Sequence, residues 1–551
     1  MKDSLQVKTF FAAAILMLAV LVAAVESYSP SAYLGSVYYG SILGMAPVAL
    51  VLLASILALV AIGVFLIHSR YYVLLLTLTL VAGSFFQILP LLHGYFLYAA
   101  GDPSNHLGIV KTVVANGVTP SADFYPGLHI LGSSLVLMTG IPILDLPVIS
   151  GEVLYSVFIL GGMLLVKSLS DSQGSRRLAY LFLPAVPMNL FLPEYFAFAL
   201  LPLVAAAALT KGYRATIVYS IGLVALTIIH PLVAVMLGGS ILVYTLVTPR
   251  DGGLVRAVLP VVTVGTWVGY NVVLTHSLAV VIQEFAFGLP TSSPYVSSAL
   301  THLGIFSTVE IALRLVGPLA LLVGVELVVM ISTKSVNSKV GLFFFFLLFS
   351  IAMAVFGSVV QSSNFGPDRF IEFATVGCVI GVICIHDKMS SHLRAVLLTV
   401  LLVSVAFASF AGAYASWYSF QSDQQVSQSM YVSDSWLFDH LVPGSSLGGP
   451  FFSGTNSWNL VRGTPPDYMD LSGQVYNFAT IDIPYHFDTS GLGNINEGVL
   501  VLTRVALVMY STIYSGTNTF DRTDFSNLVT NCCMDFVYSS QGQDLFSFHQ
   551  D

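Results

Sequence analysis

Hydrophobic residues run along this chain in blocks of about twenty, a length that crosses a bilayer as a helix, with short polar breaks between them up to residue 415. Spans are predicted at 9–27, 40–67, 71–91, 147–167, 178–193, 195–210, 214–230, 231–248, 257–275, 308–333, 340–361, 369–386 and 393–415, thirteen in all. The stretch 126–144 is also apolar, but Pro126, Gly127, Gly132, Gly140 and Pro142 interrupt it. It reads as a half-inserted or interfacial helix rather than a span. After residue 415 the pattern changes to short apolar runs among Ser, Gly, Asp, Asn and Tyr. Gly498–Tyr510 and Met534–Ser539 read as strands, and Ser433–His440 as a helix opened by a Ser or Asp cap. The predicted fold is an all-α polytopic membrane domain, 1–415, with a first large outer loop at 92–146. A small α/β domain, 416–551, follows.

Composition agrees. The chain has 551 residues, 56% hydrophobic and 9% charged, with a formal net charge of −8 and a mean hydropathy of +0.85. A soluble domain carries about 25% charged residues. Lys and Arg favour the cytoplasmic side. With the N-terminus inside, 14 of the 17 Lys and Arg before residue 416 fall in inner loops; Lys111, Arg314 and Arg369 are the outer three. A full span at 126–144 would invert every later loop and erase this bias. The odd number of spans puts 416–551 outside the cell. The first apolar run resembles a signal peptide, but its length favours a retained first helix. Of the four cysteines, Cys378 and Cys384 lie in an apolar segment, and the adjacent Cys532 and Cys533 could bridge only with strain, so no disulfide framework or zinc spacing is read.

Charge matters most in one place. Ala99 to His129 reads AAGDPSNHLGIVKTVVANGVTPSADFYPGLH and gathers Asp102, His106, Asp123, Tyr125 and His129 beside a span. Ionisable groups are expensive near lipid and mark functional sites. The same outer side holds Asp145, Glu152, Glu194 in the turn LPEY, His230 before Pro231, Glu284, the Glu310/Arg314 pair, and Asp368, Arg369 and Glu372 in GPDRFIEF. Asp123 sits in a turn context, Ser-Ala-Asp-Phe-Tyr-Pro. Asp102 precedes Pro103, which suits a first helical position, and would cap a helix with His106 near it on the same face. No phosphate-binding glycine loop, HExxH or GxSxG motif is present, and no basic stripe suggests nucleic acid.

GDPSNHLG (101–108), FYPGLHILG (124–132) and GPDRF (366–370) resemble elements of the GT-C superfamily of integral membrane glycosyltransferases. In the tail, WLFDHLVPGSSLGG (436–449) resembles an opening of its C-terminal domains, and CCMDFVYSSQGQDLFSF a terminal strand pair. No Trp-Trp-Asp element is present, which argues against asparagine as acceptor. The resemblance implies a plasma-membrane enzyme, N-terminus cytoplasmic, that moves a sugar from a polyprenyl- or dolichyl-phosphate donor to a glycan or protein acceptor on the outer face. Asp102 would be the general base of an inverting transfer, and Arg369 would hold the leaving phosphate. His106, Tyr125, His129, Glu194, His230, Glu284, Asp368 and Glu372 would contact substrate. No cofactor is required by this reading; Asp102, Glu194 and Glu284 are the oxygen donors that could ligate Mg or Mn. The competing expectations are a transporter or flippase for a lipid-linked or polar solute, a polysaccharide polymerase or ligase, and a non-catalytic scaffold.

Overall fold

The structure, a computed structural model, describes residues 47–66, 68–92, 95–97, 102–120, 123, 125–185, 191–247, 253–275, 426–442, 444–449, 452–464, 479–480, 497–503, 506, 520, 522–528, 534–540 and 543–549. Helices α1 (Pro47–Leu66) and α2 (Tyr72–Leu92) lead through a short strand β1 (Tyr95–Leu97) to α3 (Asp102–Asn116). Then come α4 (Pro126–Thr139), α5 (Leu146–Leu169), α6 (Gln173–Phe182), α7 (Pro193–Leu209), α8 (Tyr213–Ile229), α9 (Pro231–Val247) and α10 (Gly253–Thr275). The predicted spans at 40–67, 71–91, 147–167, 195–210, 214–230, 231–248 and 257–275 each correspond to one helix. The spans predicted at 9–27 and from 308 onwards lie outside the described residues.

Helix α4 has 14 residues, about 21 Å at 1.5 Å per residue, well short of the roughly 30 Å apolar core of a bilayer. Gly140 ends it in the left-handed region at φ 70°, and its N–H reaches the Val136 carbonyl. Among the described residues, Ile143–Leu169 is the one helical segment long and apolar enough to cross a membrane alone, at 27 residues and mean hydropathy 1.9. Pro193–Leu209 and Tyr213–Ile229 are apolar but shorter.

Helices α5, α7 and α8 form the centre of the core, with Tyr155, Phe158, Phe182 and Tyr219 fully buried. Their outward faces are apolar as well. Ile217, Ile221, Val224 and Ile228 make an exposed stripe along α8, and Val153, Leu160 and Leu164 are exposed on α5. A soluble protein rarely leaves such a surface bare; lipid is the solvent that suits it.

The span predicted at 178–193 needs correction. The chain there forms the ten-residue α6, opened at Ser172, whose hydroxyl accepts the Ser175 N–H, and a 3-10 turn at Leu183–Ala185. Pro184 lacks the amide that an α-helix would need at that point, and its carbonyl accepts from the buried Tyr155 hydroxyl at 2.6 Å.

The C-terminal part contains β2 (Val426–Ser427), α11 (Gln428–His440), β3 (Ser446–Gly448), α12 (Gly454–Arg462), β4 (Ala479–Thr480), β5 (Glu497–Thr503), α13 (Arg522–Leu528), β6 (Met534–Ser539) and β7 (Gln543–His549). Its five-stranded sheet has the order β4-β3-β5-β7-β6. Strand β3 runs parallel to β4 and β5, and β7 lies antiparallel between β5 and β6. The helix expected at Ser433 begins five residues earlier, because Ser427 caps it by accepting the Met430 N–H. The strand expected over Gly498–Tyr510 is β5 in its described part; residues 504–505 and 507–510 lie outside the described residues.

Two contacts tie the C-terminal part to the segment from β1 to α3. Strand β1 pairs antiparallel with β2, Tyr95 opposite Ser427 and Leu97 opposite Val426. Helix α12 packs against α3. The Lys111 ammonium donates to the Val461 carbonyl at 2.7 Å and the Leu460 carbonyl at 3.3 Å, at the end of α12. The Asn459 amide donates to Asn105 Oδ1 at 2.8 Å, and the Thr112 hydroxyl to the Thr464 carbonyl at 2.5 Å.

Candidate active site

Helix α3 opens at Asp102 with Pro103 next, and His106 follows one turn later. The Asp102 side chain lies outside the described part. The loop after α3 turns at Asp123, whose Oδ1 accepts the Tyr125 N–H at 2.9 Å. Helix α4 then starts at Pro126 and places His129 on its buried face, fully enclosed. Asp123 Oδ2 lies 2.6 Å from His129 Nδ1. His129 Nε2 in turn lies 2.9 Å from His106 Nδ1. Asp123, His129 and His106 therefore form one continuous chain.

A second pair sits beside it. His230 caps the end of α8, its N–H bonding the Leu226 carbonyl. Its Nε2 is 3.9 Å from Glu194 Oε2. Glu194 stands in the first turn of α7 rather than in a loop, where the helix dipole favours a carboxylate. Tyr125 joins the two groups: its ring stacks on His230 at 5.5 Å and 10°, and meets His106 edge-on at 6.3 Å and 76°. Gly127 makes this possible, because a Cβ there would stand 2.7 Å from Ile229 Cγ1 and 2.9 Å from the Ile229 nitrogen. Only glycine lets the start of α4 approach the end of α8 so closely.

Electrostatics follow from the packing. His106 keeps some exposure, yet protein surrounds most of it. That desolvation, then the nearby His129 and His230, hold it well below the ordinary imidazole value of 6.5. It is a neutral imidazole at physiological pH. Buried polar groups persist when each has a partner, and Asp123 and His129 meet that condition through each other. The opposite end of the bundle is cationic. The Arg256 guanidinium donates to the carbonyls of Ala208 at 2.6 Å and Thr210 at 2.8 Å, where α7 finishes. Glu194 is at the start of that helix and His230 at the end of its antiparallel neighbour, so the imidazole cluster and Arg256 occupy opposite ends.

Five residues expected at the site thus come together: His106, Tyr125, His129, Glu194 and His230. Asp123, read from the sequence as a turn residue, is a sixth; it makes the turn and binds His129 as well. Glu152 lies on α5, outside this group of contacts. Glu284, Asp368, Arg369 and Glu372, and the Glu310/Arg314 pair, lie outside the described residues. Among the described residues no three His, Cys, Asp or Glu side chains are grouped to hold a metal.

No protein-family model matches the chain, and no curated protein matches it. Solved structures do. ArnT from Cupriavidus metallidurans in the apo state is 12% identical, with a TM-score of 0.50 over 86% of this chain and 97% of that one. ArnT bound to undecaprenyl phosphate is 13% identical, with a TM-score of 0.42 over 87% and 98%. The arabinofuranosyltransferase AftD from mycobacteria is 12% identical, with a TM-score of 0.44 over 88% of this chain and 42% of that one. The apo ArnT match shows that this chain shares the fold of that protein.

Proposed function

We propose that this protein is a plasma-membrane glycosyltransferase that takes a sugar from a polyprenyl-phosphate carrier and passes it to an acceptor hydroxyl on the outer face. The carrying observation is convergence. His106, Asp123, Tyr125, His129, Glu194 and His230 come from four separate stretches and meet at one end of the bundle. They do so one turn along α3 from Asp102. The shared fold supports the reaction class.

In this reading the chain crosses the bilayer thirteen times, the 178–193 crossing made by α6 and its 3-10 turn rather than by one continuous helix; the N-terminus is cytoplasmic, and 416–551 lies outside. Asp102 is the general base, taking the acceptor proton as its oxygen attacks the anomeric carbon. Attack opposite the phosphate inverts that carbon. Arg369 holds the leaving phosphate through paired donors, and Glu284, Asp368 and Glu372 contribute to the same outer groove. Tyr125, with His230 behind it, offers an aromatic surface beside the sugar. The ionisable groups stand at helix ends rather than at a broken helix near the midplane, which favours surface chemistry over transport.

The test is release of radiolabelled sugar from a panel of polyprenyl-phosphate sugars by purified protein in lipid, with and without EDTA. Release by wild type but not by Asp102→Asn is expected. Equal release by both removes Asp102 as base, and no release from any donor removes the glycosyltransferase reading. Loss of activity in EDTA would assign a metal to the site.

A further inference from the structure

The hydrogen-bond order within the buried chain determines where its protons are. Asp123 can only accept, so His129 donates from Nδ1. A neutral His129 must then accept at Nε2, and the proton between the rings, 2.9 Å apart, belongs to His106 Nδ1. His106 is left with its lone pair on Nε2, which no described side chain engages. We propose that Asp123, His129 and His106 form a proton relay, in which His106 Nε2 takes up the proton that the acceptor gives up and the positive charge settles on His129 beside Asp123. This deepens the glycosyltransferase reading and rests on it.

The step balances within the reactants. The acceptor O–H bond breaks, and its oxygen bonds the anomeric carbon. The carbon–phosphate oxygen bond breaks with its electron pair on the phosphate. The hydroxyl proton, once removed from the acceptor, is taken up at His106 Nε2, while the His106 Nδ1 proton moves to His129 Nε2. His129 becomes an imidazolium donating to Asp123 on one side and His106 on the other. His106 now carries N–H at Nε2 and has changed from acceptor to donor. It can return the proton to the leaving polyprenyl phosphate, a dianion that the reaction itself creates.

The surroundings favour this division of labour. His106 resists a proton of its own, because burial and the flanking His129 and His230 disfavour charge there. His129 has a carboxylate 2.6 Å away to balance one. The other ionisable groups around α3 are Glu194, held near His230, and Asp145 in the 3-10 turn preceding α5. Lys111 is engaged by α12 carbonyls, and Arg462 on α12 by Asp439. Asp123→Asn is the conservative probe, because its amide oxygen can still accept the Tyr125 N–H.

The experiment is the rate of sugar transfer against pH, at saturating donor, for the full-length wild type, Asp123→Asn and His129→Gln. A relay must be free of its extra proton before it can accept one, so the wild-type rate falls on the acid side. Both variants are expected to move that acid limb to lower pH and to lower kcat about ten-fold or more, with donor KM changed less than kcat. A purely structural role would reduce activity and leave the acid limb in place. An active wild type whose acid limb is unmoved in Asp123→Asn and in His129→Gln overturns the relay alone. A wild type that transfers no sugar overturns the glycosyltransferase reading and the relay with it. Nitrogen-15 spectra of histidine-labelled protein give an independent readout: His106 should show N–H at Nδ1 and a bare Nε2, and the reverse tautomer overturns the relay even in an active enzyme.

Discussion

Gly108 is where the outer-loop helix and the C-terminal part are most closely fitted, and Gly108→Ala should separate them. A Cβ at this position would stand 2.5 Å from the Asn459 carbonyl oxygen, 2.8 Å from its carbon and 2.9 Å from its Cβ. Ordinary contact begins at 3.4 Å, so α12 must retreat by about 0.9 Å. The obstacle is mainly backbone within a helix and cannot rotate aside. That retreat stretches the 2.8 Å Asn459–Asn105 bond and the 2.5 Å Thr112–Thr464 bond past useful range. Overpacking costs about 1–3 kcal/mol, and each lost hydrogen bond about 1 kcal/mol. Alanine returns about 1 kcal/mol through helix propensity. The net loss is about 2–4 kcal/mol, confined to the α3–α12 contact. Hydrogen exchange of the α12 amides in the full-length protein should quicken by about thirty-fold or more. Gly117→Ala, with φ 75° but open space around it, should leave α12 protection alone. Unchanged protection in Gly108→Ala would refute the packing argument.

Other substitutions probe separate links. Burial pushes the Asp434 carboxyl up to about 6, against hydrogen bonds from Gln543 and Ser457. The folded state therefore holds its proton more tightly than the unfolded chain, and this group's contribution to stability declines as pH rises from about 4 to 6. The amplitude is about 3 kcal/mol, and Asp434→Asn should remove that decline in a pH series of thermal unfolding; an unchanged slope would refute it. Lys111→Met deletes charged donors to the α12 carbonyls, at a cost of about 1.5–3 kcal/mol, read as faster exchange at Leu460 to Gly463. Arg462→Ala removes an exposed ion pair with Asp439 and should change Tm little, by less than about 1 kcal/mol. Gly140→Ala must hold a left-handed φ of 70° and should destabilise the end of α4 by about 1–2 kcal/mol, seen as easier proteolysis there.

Much of the helical part was legible because length and apolarity dictate it. Seven of the predicted spans are helices where the hydrophobic blocks lie, and the short helix at 126–139 was signalled by Pro126 and Gly140. The exception at 178–193 has a local cause, since apolar content did not reveal that Pro184 stops α6. His106, Tyr125, His129, Glu194 and His230 could be nominated because ionisable and aromatic groups beside spans are unusual. Asp123 was harder to place: one oxygen makes the turn that its context announces, and the other binds His129, a contact six residues away that no turn rule encodes. The seat of α12 on α3 was not legible at all. Asn105 and Asn459, or Lys111 and Val461, are some 350 residues apart, and nothing local marks either as half of a pair.

We propose the imidazole cluster at the head of α3 and α4 as the glycosyl-transfer site. Single-turnover transfer from a radiolabelled polyprenyl-phosphate sugar tests it most directly. Wild type would be compared with Tyr125→Leu, His129→Gln, Glu194→Gln and His230→Asn, and with Asp171→Asn, an exposed change between α5 and α6. The account predicts that the cluster variants lose transfer by about ten-fold or more while Asp171→Asn matches wild type. Wild-type rates throughout the cluster would contradict it.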